Sequence, residues 1–167
     1  MYDAVAEDDD GPDVHWPPGF APDQADCYCR AQTTVSAPAS QVFDLLVTAE
    51  DWPGWVPGLT DVRFRGPCQG TLQKHGAFEV RLANRRRFEL LVAEIAAPRR
   101  LGLSGIATGL QFYQAWLLTP SSTGTVVSSE IVARGIAAKA MREATPDWAS
   151  RVNSRWLAGL RARAETV

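Results

Sequence analysis

The amino-acid sequence predicts an α+β domain, a curved antiparallel sheet of about seven strands around a long C-terminal helix. Between Tyr28 and Ala133, short segments alternate apolar and polar residues, as half-buried strands do. After Thr145 the apolar residues recur every three or four positions, which is typical of an amphipathic helix. A short helical segment is expected after the first strand.

Residues 35–59 predict the end of that first strand, a short helix and a tight turn. Pro38 suits the first turn of a helix, and Ser36 is its expected N-cap. The helix carries one apolar stripe, formed by Val42, Phe43, Leu46 and Val47. Trp52 and Trp55 are expected to lie close together in the turn, where prolines and glycines stop the helix.

The remaining elements follow from the change of period along the chain. The first strand is expected at residues 28–35, and six more at 60–65, 77–83, 88–95, 101–106, 110–118 and 125–133. One or two helical turns are expected over residues 136–143. The long helix should begin with Thr145 as N-cap and Pro146 at its first position. Its apolar stripe is Trp148, Val152, Trp156 and Leu160, extended by Ala149 and Ala164.

Charge is distributed unevenly along the 167 residues, although the net charge is only −2. Residues 1–29 contain eight Asp or Glu and no Lys or Arg, which leaves 17 basic and 11 acidic residues for the rest. We therefore expect residues 1–26 to be an acidic, Pro-rich flexible tail and residues 27–167 to be a single domain. Trp16 and Phe20 could dock the tail on the domain.

Composition argues against several classes of protein. No run approaches the roughly 18 apolar residues of a membrane helix, and the acidic N-terminus has no apolar signal core. We therefore expect no integral membrane segment and a cytoplasmic location. Basic runs are short and confined to expected turns, as at residues 85–87, so nucleic-acid binding is not expected.

The sequence contains no standard catalytic or cofactor signature. It has no G-x-S-x-G elbow, P-loop, H-E-x-x-H or dinucleotide fingerprint. Three cysteines (Cys27, Cys29 and Cys68) and two histidines do not have zinc-site spacing, so ordinary thiols, no metal and no cofactor are expected.

One dense set of residues resembles a known family. Residues 35–59 are similar to the opening of the START/Bet v 1-like superfamily, in its polyketide cyclase/dehydrase and coenzyme-Q-binding group. The matching positions are Val35, Ala37, Pro38, Gln41-Val42-Phe43, Leu45-Leu46, Asp51-Trp52-Pro53, Trp55, Pro57 and Gly58. Further matches extend the resemblance over about residues 31–165. It implies a helix-grip fold with a cavity between sheet and long helix for a hydrophobic molecule, such as a sterol, quinone or polyketide.

The inward face that the resemblance implies contains the expected ligand-binding residues. They are Trp52, Phe78, Phe88, Phe112, Gln114, Trp116, Val152, Asn153 and Trp156. Gln114 either hydrogen-bonds a ligand carbonyl or hydroxyl, or is a satisfied core amide or an exposed strand-end residue. Asn153 either reaches the cavity or lies solvated on the helix flank. Tyr113, on the other face, is expected at the surface.

No catalytic residue is assigned. The candidates are Gln114, Asn153 and Glu130, which would be a desolvated acid or base if it faced inward. Residues Trp52-Pro53 and Asn153-Ser154-Arg155 are similar to an aromatase/cyclase branch. That branch places a tyrosine and an arginine where this sequence has Leu59 and Ile95, which argues against cyclase chemistry.

Three functions follow as hypotheses. The first is binding of a polyketide-, quinone- or lipid-like molecule in the cavity, by a monomer or homodimer. The alternative is a polyketide cyclase/aromatase-type enzyme acting on an enolisable chain in the same cavity. The third is a protein–protein module that uses the acidic tail.

Overall fold

A computed structural model describes residues 14–66 and 69–166. Within these ranges the chain forms seven strands and three α-helices. The strands are β1 (Cys27–Val35), β2 (Leu59–Arg65), β3 (Ala77–Leu82), β4 (Arg87–Ala96), β5 (Arg100–Ala107), β6 (Leu110–Ser121) and β7 (Gly124–Arg134). The helices are α1 (Ala39–Val47), α2 (Ile136–Ala144) and α3 (Trp148–Glu165), with a 3₁₀ helix over Ala49–Gly54.

The strands form one antiparallel sheet in the spatial order β1-β7-β6-β5-β4-β3-β2. The first strand therefore pairs with the last, from Cys27 opposite Ala133 to Val35 opposite Thr125. α1 and the 3₁₀ helix carry the chain from β1 to β2 at the opposite edge of the sheet. α3 packs across the concave face, and the predicted helix-grip fold is confirmed.

The main core lies between that face and the helices. Alternate residues of neighbouring strands point inward as pairs, for example Leu101 opposite Trp116 and Leu103 opposite Gln114. The largest fully buried side chains of the core are Trp52, Trp116, Phe78, Leu46, Leu101, Leu103 and Leu160. This packing fixes α3 against the sheet and leaves a space at one end, which is the candidate site.

Helix α1 begins later than the sequence predicts. Its N-cap is Pro38, not Ser36, and no side chain caps it. The Ser36 N–H instead donates to Glu165 Oε1 at 3.1 Å. The expected cap therefore joins the end of β1 to the end of α3.

Helix α3 also differs from its prediction in start and phase. Thr145 ends α2, donating its N–H to Met141 O at 2.8 Å, and α3 begins at Trp148 with Asp147 as N-cap. The buried face consists of Ala149, Asn153, Leu157, Leu160 and Ala164, whereas Val152 is 36% exposed.

Helix α3 comes close to the backbone of the 3₁₀ segment at Gly159. A Cβ atom there would lie 2.1 Å from the carbonyl oxygen of Trp55, so only glycine lets the helix come this near the 3₁₀ segment.

Residues 14–26 lie against the outer face of the sheet. Trp16 makes an edge contact with Tyr113 at 5.9 Å between ring centroids, and the Arg134 guanidinium lies 5.9 Å from the Phe20 ring. Arg134 Nη1 also donates to Gly19 O at 2.6 Å. Tyr113 is consequently only 3% exposed, so its predicted surface position is wrong. The first half of the expected tail, residues 1–13, lies outside the described residues.

Candidate functional site

A cavity of about 340 Å³ lies between the concave face of the sheet and α3. Its walls come from the segment before β2, from β2 to β7 and from α3, and they are predominantly apolar. The lining residues are Trp52, Val56, Pro57, Gly58, Leu59, Val80, Leu82, Ala83, Asn84, Phe88, Leu90, Leu103, Leu110, Phe112, Gln114, Ile131, Trp148, Val152, Arg155 and Trp156. A space of this size, with few polar groups, is typical of a small-molecule site.

The exposed members of this lining mark the mouth. Pro57 and Gly58 lie in the loop before β2, and Ala83 and Asn84 lie in the turn between β3 and β4. Arg155 faces them from α3 and is also exposed. The mouth therefore opens between two loops and the long helix.

Trp156 is the centre of an aromatic cluster on one wall. Its ring lies 5.0 Å from that of Trp52, 5.7 Å from that of Trp55 and 5.7 Å from that of Trp116, each in an edge-to-face contact. Trp52 is held in turn by its Nε1–H, which donates to Leu46 O at 3.1 Å. Trp52 and Trp55 thus meet through Trp156, and the cluster makes this wall rigid.

Phe88 and Phe112 form the opposite aromatic pair, with ring centroids 5.8 Å apart. Gly105, opposite Phe112 on β5, makes room for this ring. A Cβ atom at Gly105 would lie 2.1 Å from the Phe112 ring. The absence of a side chain here lets the ring lie over β5.

Three polar side chains form a hydrogen-bonded group beside the cavity. Ser129 Oγ donates to Asn153 Oδ1 at 2.7 Å, and Asn153 Nδ2 donates to the Ser129 carbonyl at 2.7 Å. Gln114 Nε2 lies 3.3 Å from Ser129 Oγ and 3.5 Å from Asn153 Oδ1. Asn153 and Ser129 are both 0% exposed and Gln114 is 6% exposed. The amide of Gln114 is thus held from behind by two buried groups.

The other end of that amide is an acceptor. Gln114 lines the cavity, and within the described residues its Oε1 receives no hydrogen bond. An amide oxygen has two lone pairs, so this atom can accept from a hydroxyl or N–H group of a bound molecule. It is an acceptor on a wall whose other residues are predominantly apolar.

The structure gathers most, not all, of the predicted ligand-binding residues around the cavity. Those that line it are Trp52, Phe88, Phe112, Gln114, Val152 and Trp156. Phe78 and Trp116 lie in the core behind the wall, and Asn153 lies behind Gln114. Asn153 therefore neither lines the cavity nor lies solvated on the helix flank, so both alternatives for this residue are wrong. Whether these residues bind a ligand stays a prediction.

Glu130 does not join Gln114 and Asn153. The alternation of β7 places Ser129 and Ile131 on the inner face, so Glu130 lies on the outer face, where it accepts a hydrogen bond from the Tyr28 hydroxyl. The inward position considered for Glu130 is wrong.

Some lining residues were not predicted. Arg155, Leu59 and Ile131 belong to the cavity. Two of them carried a signal: Arg155 is the charged member of the motif that begins at Asn153, and Leu59 occupies the position where the related branch has a tyrosine.

The described cysteines and acids do not form a metal site. Among residues 14–66 and 69–166, no group of three or more His, Cys, Asp or Glu could hold a metal ion. Cys27 and Cys29 are free thiols, while Cys68 lies outside the described residues. Burial, with a smaller contribution from Cys27, raises the pKa of Cys29 to about 11, and burial also raises the pKa of Cys27. Both thiols are therefore poor nucleophiles near neutral pH.

A family model described as "Polyketide cyclase / dehydrase and lipid transport" matches residues 28–165. The chain belongs to this family. Its Bet v 1-like superfamily membership, which the motif of residues 35–59 indicated, is thereby confirmed. Membership supports a role in hydrophobic ligand binding or cyclisation and leaves the ligand undetermined.

Solved structures agree with the fold of this polyketide cyclase/dehydrase family member. A hypothetical protein, jhp0584 from Helicobacter pylori, is 20% identical with a TM-score of 0.82, and the match covers 91% of this chain and 96% of that one. The di-domain ARO/CYC StfQ from the steffimycin biosynthetic pathway is 14% identical with a TM-score of 0.65, covering 84% and 52%. A norcoclaurine synthase of Thalictrum is 10% identical with a TM-score of 0.64, covering 83% and 94%.

Two further findings bear on the family member. No curated protein sequence matches it significantly. In its described part, no helix has the length and apolar character needed to cross a bilayer.

Proposed function

We propose that this protein binds a hydrophobic small molecule, polyketide-, quinone- or lipid-like, in the cavity between the sheet and α3. The observation that carries the proposal is Gln114, an amide held by buried partners at the wall of an apolar cavity. Its oxygen gives a bound molecule one point of polar attachment. The aromatic and aliphatic walls supply the rest of the binding energy.

The energetics favour an apolar ligand. Burial of apolar surface contributes about 25 cal/mol per Å², so a ligand that covers the apolar walls gains several times the energy of one hydrogen bond. The hydrogen bond to Gln114 Oε1 then acts mainly on orientation, because an unpaired hydroxyl or N–H at that depth would lose its contacts with water. We assign direct contact to Trp52, Phe88, Phe112, Gln114, Val152 and Trp156, and a supporting role to Phe78, Trp116 and Asn153.

A cyclase of the polyketide type is the second candidate. The chain Gln114–Ser129–Asn153 and the family's name favour it, as do two ARO/CYC structures among those of similar fold. In such an enzyme Gln114 would orient an enolisable chain, and the rigid walls would supply proximity. Leu59 is part of the cavity wall, so it brings no hydroxyl where the related branch has a tyrosine. Among the described lining residues there is no carboxylate or histidine to act as base.

The proposal is tested with two neutral probes that differ in one hydroxyl group, methyl 12-hydroxydodecanoate and methyl dodecanoate. Tryptophan fluorescence reports binding, because Trp52 and Trp156 line the cavity. We expect the wild type to bind both esters. The preference for the hydroxy ester over the plain ester should be about fivefold greater in the wild type than in Gln114→Leu, since one net hydrogen bond is worth about 1 kcal/mol.

Gln111→Leu is the matched control, because Gln111 lies on the same strand but is exposed on the outer face. It should leave both affinities unchanged. Val80→Phe, which adds volume to the cavity wall, should weaken both esters together. Equal hydroxyl preferences in the wild type and Gln114→Leu would contradict the role of Gln114. Failure of the wild type to bind either ester would contradict the proposed function.

Native mass spectrometry of the purified protein complements the titration. A co-purified apolar molecule would identify the ligand class, and the same spectrum would distinguish a monomer from a homodimer. Turnover of that molecule by the wild type, abolished in Gln114→Leu with binding retained, would favour the cyclase.

A further inference from the structure

The charge of the cavity lining has one sign. Among its described members, Arg155 is the one charged residue, and there is no Asp or Glu. Arg155 lies at the mouth, exposed to solvent, on the side of α3 that faces the loops. A molecule in the cavity would therefore meet one full positive charge, at the place where the cavity opens.

Arg155 has no carboxylate to neutralise it among the described residues. Two other arginines of α3, Arg151 and Arg161, do have such partners, one turn away along the helix. Arg151 Nε lies 2.7 Å from Asp147 Oδ2, and Arg161 Nε lies 3.2 Å from Glu165 Oε1. The positions four residues before and after Arg155 are Arg151 and Gly159, so the helix itself offers no acid.

The opposite side of the mouth is also basic. The turn that contributes Ala83 and Asn84 to the lining continues into Arg85 and Arg86. Arg86 Nη1 contacts Met141 Sδ at 3.9 Å, and in the described part of the chain no carboxylate pairs with Arg85.

The acids nearest in sequence are engaged elsewhere. Glu79 and Glu89 are paired with Arg65, and Glu79 also with Arg81. The field at the mouth is therefore positive.

The geometry points to a ligand with an apolar body and one anionic end group, such as a carboxylate or phosphate, which Arg155 binds at the mouth. This inference rests on the proposed function, because it concerns the end of the ligand that stays outside the cavity. A guanidinium presents paired N–H donors that match both anions. An anion at the mouth also keeps part of its hydration, so it avoids the cost of burying a charge.

The test compares 12-hydroxydodecanoate with its methyl ester, which has the same chain and hydroxyl but no charge. Arg155→Gln removes the charge of the side chain and retains much of its length. We expect this substitution to weaken carboxylate binding about fivefold more than ester binding, because a partly exposed ion pair contributes up to about 1 kcal/mol. Raising the ionic strength from 0.05 to 1 M should reduce the wild-type preference toward the value of the variant.

Arg163→Gln is the matched control. Arg163 is exposed on the same helix, makes no ion pair with the described residues and does not line the cavity. It should leave the carboxylate-to-ester ratio unchanged. Equal effects of Arg155→Gln on carboxylate and ester, or an equal effect of Arg163→Gln, would overturn the inference.

The ester separates the two proposals. If the ester binds in a Gln114-dependent manner while the carboxylate does not respond to Arg155, the anionic end group is wrong and the proposed function stands. If neither probe binds the wild type, both proposals fail. Correct folding of each variant is established beforehand by its thermal unfolding midpoint.

Discussion

At the scale of single residues, Asn153 joins α3 to β6 and β7 beside the cavity. It does not line the cavity, yet it accepts from Ser129 Oγ, donates to the Ser129 carbonyl and lies 3.5 Å from the Gln114 amide. Its other Nδ2 contact is Cys29 Sγ at 3.5 Å. A buried amide with this many partners fixes the position of α3 relative to β6 and β7.

Asn153→Ala should lower the free energy of unfolding by about 2–3 kcal/mol, because it removes the acceptor of the buried Ser129 hydroxyl and a donor to the Ser129 carbonyl. It should also loosen Gln114, so the preference for the hydroxy ester should fall without loss of the plain ester. Urea denaturation measures the first effect and fluorescence titration the second. Ser154→Ala, an exposed neighbour on the same helix, should change stability by less than about 0.5 kcal/mol. A fully stable Asn153→Ala protein would refute the positioning role.

At the scale of elements, the strands were predictable and the phase of α3 was not. The family resemblance placed Phe112, Gln114 and Trp116 on the inner face of β6, and the pairing register of β5, β6 and β7 agrees with that face. On α3 the apolar stripe included Trp148 and Val152, which line the cavity, and omitted Asn153, which is buried. Residues that line a cavity are apolar like residues of the packed core, so hydrophobic periodicity cannot distinguish cavity-lining residues from core residues.

The inward face of β7 could not be predicted from the sequence, for a different reason. Both of its faces are covered, the inner by α3 and the outer in part by residues 14–26. Val132 on the outer face is 0% exposed, as is Val127 on the inner face. Alternation of apolar and polar residues therefore could not show which side of the sheet Glu130 faces. The pairing register of β7 with β1 and β6 does show it.

The close approach of α3 to the 3₁₀ segment leads to a prediction at this scale. Gly159→Ala should gain helix propensity of about 1 kcal/mol, yet its Cβ atom would lie 2.1 Å from the Trp55 carbonyl oxygen. The backbone oxygen cannot move like a flexible side chain, so overpacking should win and the free energy of unfolding should fall by about 1–2 kcal/mol.

Gly54→Ala is the comparison, because a Cβ atom there has nothing within 4 Å. Chemical denaturation of both variants measures the difference. A stabilised Gly159→Ala protein would mean that α3 does not lie this close to the segment.

At the scale of the whole molecule, residues 14–26 convert one outer face of the sheet into a second buried layer. Tyr113 is the clearest member, covered by Trp16 on the face opposite to the cavity. Burial, reinforced by the charge of Glu94, raises the pKa of Tyr113 to about 12. The sequence suggested that Trp16 could dock on the domain. It did not identify the surface that Trp16 contacts, because Tyr113 lies on the outer face of β6 and was expected to be exposed.

This pKa gives a pH dependence with a definite sign. The folded state favours the protonated phenol, so its contribution to stability is complete below about pH 10, the ordinary tyrosine pKa, and is lost as pH rises toward about 12. Unfolding midpoints between pH 9 and pH 12 should therefore fall less steeply in Tyr113→Phe than in the wild type.

Tyr28→Phe is an internal comparison. Burial, and then its hydrogen bond to Glu130, raises the pKa of Tyr28 to about 12 as well. Each single variant should remove part of the alkaline slope and the double variant more. Identical slopes in all four proteins would contradict the raised pKa of both phenols.

The pairing of β1 with β7 sets the order in which the molecule can form. Cys27 lies opposite Ala133 and Val35 opposite Thr125, so β1 has no neighbour in the sheet until β7 has been made. Non-local pairing of this kind slows folding, since the closure of a long loop must precede any gain from the contact. During synthesis both edges of β1 stay unpaired, and the sheet can be completed only after β7 has emerged. Early termination between β6 and β7 would release a chain in which β2 to β6 can pair with one another and β1 cannot.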